Sequence, residues 1–202
     1  MDKTLIVIDN FYEDPYAIRE FALKQEFNTS GNYPGVRTKS LISDEARDKI
    51  SEITQNMWGG TTEFPTHEGS YQGAFQYCCS WEKSWVHYDN WNSFATVVYM
   101  TPDAPLQCGT ALYRHIKTGV YRKPENEDLC KRLLSDGRDY TKWEKLGQVG
   151  NVFNRAVIYP GDYWHASVEY FGFDKESARM IQTFFYNISS NVGFTPTSQG
   201  GS

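Results

Sequence analysis

Long hydrophobic runs, paired cysteines and a surplus of positive charge are all missing from this chain of 202 residues. No stretch approaches the roughly 20 apolar residues that a bilayer-spanning helix needs. The apolar run Leu5 to Ile8 is too short for a secretory signal and reads as a strand. The expectation is therefore a soluble, cytoplasmic protein with no signal peptide and no membrane partner. The four cysteines, Cys78, Cys79, Cys108 and Cys130, contain no CxxC pair, so neither a disulfide framework nor a zinc finger is indicated. They read as small buried hydrophobes. A formal net charge of −5 lacks the basic footprint of a dedicated nucleic-acid binder and makes nucleic acid the least favoured partner. No internal repeat is visible, and oligomeric state cannot be read.

Aromatic residues, by contrast, are abundant at 16%, which suits a β-rich core and a pocket lined with flat side chains. Asp14 and Pro15 make a helix start, and Ile18, Phe21, Ala22 and Gln25 follow at helical spacing. Asn32 to Ser40 reads as a turn-rich connection. Ser43 caps a second helix whose buried stripe is Ala46, Ile50, Ile53 and Met57, and Gly59 and Gly60 end it. From about residue 71 the pattern changes to short strands: AFQYCCSW, WVHYDNW, FATVVYM, NVFNRAVIYP and RMIQTFFYNI. Residues 114–147 hold nine of the twenty lysines and arginines. Within them PENEDLCKRLLS and DYTKWEKLG look helical, and a solvated helical insertion is favoured over a lid that grips substrate. The expectation is an α+β fold in one domain, residues 1–188. It would comprise an N-terminal strand and helices (1–60) and a β-sandwich or barrel core (71–188) carrying the insertion. A polar Gly/Ser-rich tail, 189–202, should be disordered.

Only four histidines are present, and their placement is informative. In WVHYDNW, His87 and Asp89 are two residues apart, so on a strand they project to the same side. His165, after the PGD turn of YPGDYWHASV, can close a three-point site. Two imidazoles and one carboxylate on one face of an octahedron leave three positions open, which suits non-haem iron(II) better than zinc. HxD alone arises often by chance, and the case rests on the other pieces arriving in order. His67, in a loop, and His115, at the start of the insertion, are expected to face water.

Fourteen residues beyond His165, the strand RMIQTFFY places Arg179, Ile181, Thr183 and Phe185 on one face. If that face is interior, the guanidinium needs an anion that no acidic residue of the strand supplies. A bound carboxylate would meet the need through a bidentate pair, with the Thr183 hydroxyl adding a bond. The alternative is that Arg179 reaches solvent at the strand's start. Tyr77 and Tyr99, on flanking strands, could each turn a hydroxyl inward.

In this order Tyr77, His87-x-Asp89, Tyr99, His165, Arg179 and Thr183 resemble the iron(II)/2-oxoglutarate-dependent oxygenases, specifically the prolyl-4-hydroxylase-like branch. TVVYM (Thr96 to Met100), CGT (Cys108 to Thr110) and VIYPGDYWHASV carry the same likeness, which covers about residues 70–188. The resemblance implies a double-stranded β-helix (jelly roll) core with two N-terminal buttressing helices. It also implies iron bound by His87, Asp89 and His165, which form the catalytic centre. The distal carboxylate of 2-oxoglutarate would lie on Arg179 and Thr183, with Tyr77 and Tyr99 bonding the same cosubstrate. The implied activity is a dioxygenase using O2, most simply a hydroxylase of a peptide or small molecule. Two other readings stay open. One is a non-catalytic jelly-roll module using Trp81, Trp85 and Trp91 for ligand contact; the other is a cupin-like metalloenzyme without 2-oxoglutarate.

Overall fold

A computed structural model of the chain describes residues 5–67, 69–89 and 92–189. Ser189, the first residue of the tail expected over 189–202, is still part of a strand; the rest of that tail and the residue Trp91 lie outside the described residues. In chain order the elements are β1 (Ile6–Ile8), α1 (Pro15–Leu23), β2 (Thr29–Gly31), β3 (Tyr33–Arg37), α2 (Asp44–Trp58), β4 (Thr61–Glu63) and β5 (Ala74–Cys78). They continue with β6 (Phe94–Tyr99), β7 (Thr110–His115), α3 (Glu127–Asp136), β8 (Trp143–Val149), β9 (Ala156–Pro160), β10 (His165–Ser167) and β11 (Arg179–Ser189).

Both N-terminal helices begin where side chains can satisfy their first orphan N–H groups. The Asp14 carboxylate accepts from the Ala17 N–H at 3.0 Å, and the Ser43 hydroxyl accepts from the Ala46 N–H at 3.2 Å. The strands form two antiparallel sheets. The larger runs β1-β9-β6-β11-β5-β3-β2, with β4 also on β11, and the smaller runs β10-β7-β8. Strand alternation sorts their residues into three apolar clusters. One face of the larger sheet (Phe75, Val98, Met180, Phe184) meets Ala22 of α1 and Ala46 and Ile50 of α2. Its other face (Val97, Tyr99, Tyr159, Ile181) meets Val149 of the smaller sheet. The far side of the smaller sheet (Ala111, Tyr113, Ala166) meets Leu133 of α3. Two stacked antiparallel sheets are consistent with the jelly roll expected from the sequence. No helix among the described residues is long and apolar enough to cross a membrane.

Four expectations are corrected. Asn32 to Ser40 is not merely a connection, because β3 lies within it and pairs with β5. Gly35 permits this: its φ is +73°, and a Cβ there would sit 2.0 Å from the Tyr77 carbonyl oxygen. DYTKWEKLG is not a helix. A single 3-10 turn covers Tyr140–Lys142, and the remainder enters β8, recruited by six-residue pairing with β7. The 114–147 segment is also not simply solvated, since Leu133, Cys130 and Trp143 are buried. His115 likewise does not face water. It is 3% exposed, with Nδ1 3.0 Å from the Thr118 hydroxyl, Nε2 3.4 Å from Asp136 and its ring edge-on to Trp143.

Candidate metal centre

The segment WVHYD is extended but is not a sheet strand; its one ladder contact is an isolated antiparallel bridge between His87 and His165. Their backbones exchange both N–H···O=C bonds, at 2.9 and 2.8 Å. On either side the segment is pinned again. The Val86 N–H donates to the Gly137 carbonyl at the end of α3, and the Asp89 N–H donates to the Gly161 carbonyl at 2.7 Å. The basic insertion thus helps hold the HxD segment in place, and the PGD turn before β10 holds its far end.

This backbone brings His87, Asp89 and His165 together, with one potential ligand atom from each lying within 4.8 Å of the other two. The imidazole rings are 4.4 Å apart between centroids, and His165 Nε2 is 3.6 Å from Asp89 Oδ2. Both rings are oriented by carbonyls. His87 Nδ1 is 2.9 Å from the Trp85 oxygen, and His165 Nδ1 is 2.8 Å from the Tyr163 oxygen. Each Nδ1–H therefore donates to backbone, which leaves both Nε2 lone pairs for a cation. Burial, reinforced by the neighbouring His165, pushes His87 down to about 4, so its imidazole is neutral at physiological pH. Asp89 Oδ2 is buried with no hydrogen-bond partner among the described residues. An orphaned carboxylate oxygen beside two imidazole lone pairs fits a divalent metal ion, which would satisfy all three at once.

Close contact at the PGD turn makes the site sensitive to one methyl group. A Cβ on Gly161 would meet the Asn92 carbonyl oxygen at 2.6 Å and Asp89 Cβ at 3.2 Å. Gly161→Ala is expected to displace Asp89 and to weaken Mn(II) binding by about 10–100-fold, as loss of an orienting partner commonly does. Calorimetric titration checks this, with an unchanged circular dichroism spectrum showing that the sheets persist.

An inner cleft of about 80 Å³ leads from the triad to Arg179 and Thr183 on β11. It shares Tyr33, Arg37, Trp85, His87, Asp89 and Phe185 with a wider outer groove of about 860 Å³. Arg179 is 1% exposed. Its Nε donates to the Cys108 carbonyl at 2.9 Å, its guanidinium faces the Tyr99 ring at 5.5 Å, and its Nη2 is buried without a partner. Arg179 therefore does not reach bulk solvent from its strand's start. Thr183 lines the same cleft, its hydroxyl 3.3 Å from the Ala74 carbonyl.

The tyrosines expected beside the cosubstrate are placed differently. Tyr77 turns away from the cleft and packs edge-on against Phe27, because on β5 the inward positions are Ala74, Gln76 and Cys78. Tyr99 points inward but lies behind the cleft wall, its hydroxyl donating to Thr110 at 2.9 Å. Tyr99 thus supports Arg179 and Thr110 without lining the cleft itself. Of the tryptophans considered for ligand contact, Trp85 lines the groove, whereas Trp81 is 64% exposed and lines neither cavity. Arg37, Gln76, Tyr159 and Tyr170 line the cleft without having been anticipated. Tyr159 lies 4.7 Å from the His165 ring in the YPGD run, a signal the sequence did offer. Arg37 offered none, because Pro34 and Gly35 disguise its strand.

With this geometry in hand, comparison with known proteins gives two kinds of match. A model described as a family of unknown function, DUF6445, matches residues 1–169, a span that includes all three candidate ligands and stops short of Arg179. No curated protein matches the chain in sequence. Among solved structures, HygX from Streptomyces hygroscopicus, with nickel and 2-oxoglutarate bound, matches with a TM-score of 0.60 and 12% identity over 91% of this chain and 82% of that one. The epimerase SnoN, in complex with Fe3+, alpha-ketoglutarate and nogalamycin RO, matches with a TM-score of 0.56 and 12% identity, covering 91% and 78%. The non-heme alpha-ketoglutarate-dependent carbocyclase SnoK from nogalamycin biosynthesis matches with a TM-score of 0.55 and 16% identity, covering 91% and 79%. At such identities the likeness establishes a shared fold.

Proposed function

This chain belongs to the DUF6445 family, and we propose that it is an iron(II)- and 2-oxoglutarate-dependent oxygenase that hydroxylates an unactivated C–H bond of a peptide or small molecule. One observation carries the reading. Two imidazoles and an unpaired carboxylate face a cleft whose other end holds a buried guanidinium with an unpaired donor. A metal cation answers the first deficit and a dicarboxylate the second. 2-Oxoglutarate, with a chelating keto-acid at one end and a carboxylate at the other, answers both. That HygX and SnoN hold this compound on the same fold supports the choice.

His87, Asp89 and His165 would hold the iron. Its chemistry is the activation of O2, coupled to oxidative decarboxylation of 2-oxoglutarate to succinate and CO2 and to oxygen insertion into substrate. The protein's own task is placement. The carbonyls of Trp85 and Tyr163 keep both imidazoles in the tautomer that presents Nε2. Arg179, steadied by the Cys108 carbonyl and the Tyr99 ring, would grip the distal carboxylate, and Thr183 would add a donor. Val97, Ile181 and Tyr159 wall the cleft with carbon and keep water from the reacting end. A metal serving structure alone would be closed in by protein, whereas here His87 and Asp89 also line the wider outer groove.

Anaerobic calorimetry tests the proposal. 2-Oxoglutarate should bind the Fe(II)-loaded protein and bind far more weakly without metal, and in air succinate should form as 2-oxoglutarate disappears. Failure of the metal-loaded protein to bind 2-oxoglutarate would overturn the reading.

A further inference from the structure

Arg37 is not used by the chemistry described so far. It is 9% exposed, and its position on β3 places it on the same sheet face as Arg179, beside Gln76 and Ile181 in register across β5 and β11. Arg19, comparably buried, spends its charge on the carbonyls of Met100 and Glu176 at 2.6 and 2.5 Å. Arg37 has no such arrangement. Its Nε donates to Gln76 Oε1 at 2.7 Å, and Gln76 is itself oriented by donating to the Pro34 carbonyl at 2.6 Å. The Nη nitrogens, which carry the other four N–H donors of a guanidinium, have no hydrogen-bond or ion-pair partner among the described residues. The guanidinium lies over the Tyr33 ring at 3.7 Å, with Tyr71 at 5.1 Å and Phe185 at 5.8 Å. A tethered Nε and an aromatic frame leave one direction open, and Arg37 lines both the inner cleft and the outer groove. Arg179 lines only the inner one.

Charge counting separates the two arginines. Among the described residues lining the two cavities, the formal charges are those of Arg37, Arg179 and Asp89, the histidines counted neutral. A divalent metal and two guanidiniums bring four positive charges against the single negative charge of Asp89. A 2-oxoglutarate dianion on the metal and Arg179 removes two, and one positive charge remains, on Arg37. A buried charge of that kind calls for a counter-ion, and after cosubstrate binding the remaining molecule to arrive is the substrate.

Resting on the oxygenase reading, we infer that the substrate carries a single carboxylate on a flat or apolar body. The carboxylate is received end-on by the Nη pair of Arg37, and the body lies along Tyr33, Tyr71, Trp85 and Phe185 in the outer groove. End-on pairing matches the two oxygens of a carboxylate to two parallel N–H donors, which a lysine could not supply. Gripping that end of the substrate beside Asp89 would set which carbon faces the metal.

The test uses three carboxylates as probes, 3-phenylpropionate, indole-3-acetate and N-acetylphenylalanine, each against its primary amide. Calorimetry is run on the protein loaded with Mn(II) and 2-oxoglutarate. At least one carboxylate should bind about tenfold or more tightly than its amide, the scale of a charge-assisted hydrogen bond. Arg37→Gln should erase that preference and Arg37→Lys retain part of it, with 2-oxoglutarate affinity within about twofold of the native value in both, since neither touches Arg179. No preference for any carboxylate in the native protein, which requires no variant to fold, overturns the inference. So does a preference that survives Arg37→Gln, or tighter binding of phenyl phosphate than of every carboxylate. Loss of 2-oxoglutarate binding in Arg37→Gln would make this arginine a cosubstrate ligand and would overturn it as well. Repeating the titrations on metal-free Arg179→Met protein separates the two readings. An Arg37-dependent carboxylate preference there upholds the anion site even if the native protein never binds 2-oxoglutarate.

Discussion

Asp89→Ala protein will fold and will no longer retain iron. The carboxylate removed has a buried oxygen with no hydrogen-bond partner, while the backbone N–H that ties this residue to Gly161 is untouched. Deleting an unsatisfied buried group costs the metal-free protein little and can relieve it. The metal-loaded protein loses one of three ligands. Because outer-shell partners alone are worth about 10–100-fold in metal affinity, loss of a ligand should exceed about 100-fold. Thermal denaturation gives a direct readout. Metal at 100 times its dissociation constant should stabilise the native protein by about 2.7 kcal/mol. For a chain of this size that is a rise of roughly 5–10 °C in Tm. Asp89→Ala should melt at the native metal-free temperature and stay there when Mn(II) is added, and it should form no succinate. A variant that still shifts with metal would place the binding site elsewhere.

Arg179→Met should separate the two halves of the site. Two charge-assisted hydrogen bonds to a carboxylate, at about 1.5–3 kcal/mol each, correspond to a loss of about 10²–10⁴-fold in 2-oxoglutarate affinity. Metal affinity should be unchanged, because the triad is held by backbone bonds among β10, the PGD turn and the end of α3. The ligand-free variant should be as stable as the native protein or more so. It exchanges a buried guanidinium with an unpaired Nη2 for an apolar chain of similar length. A higher Tm together with lost cosubstrate binding would mark Arg179 as a residue kept for its ligand. Thr183→Val, which removes one neutral hydroxyl, should cost only about fivefold to tenfold. Equal losses from both substitutions would contradict the assignment of the charge to the carboxylate.

Much of this site is legible in the sequence where local geometry alone decides orientation. Arg179, Ile181, Thr183 and Phe185 all line the cleft because alternation along a strand needs no knowledge of its neighbours. His87 and Asp89 share a side for the same reason, although the segment is an extended run bridged at one residue. The two helix starts are equally local, each written in a capping side chain. Errors occur where the deciding contact is distant. Nothing within β5 decides its parity; the register of Gln76 opposite Arg37 and Ile181 does, and it turns Tyr77 away from the cleft. WEKLGQV carries five exposed residues in seven, so its burial has no period to read, and only pairing with β7 makes it a strand.

Residue chemistry and its short-range order were therefore enough to single out His87, Asp89 and His165 as one candidate cluster, to put Arg179 and Thr183 on one strand face, and to indicate a β-rich fold with capped helices. Those properties follow from side-chain type and backbone periodicity, which act over a few residues. That Arg37 lines the same cleft as the triad, that His115 is buried, and that the insertion braces the segment carrying His87 all depend on segments distant along the chain meeting across the sheets. Such meetings are settled by the global balance of buried area, paired backbone and chain entropy, to which no short stretch of sequence holds the answer.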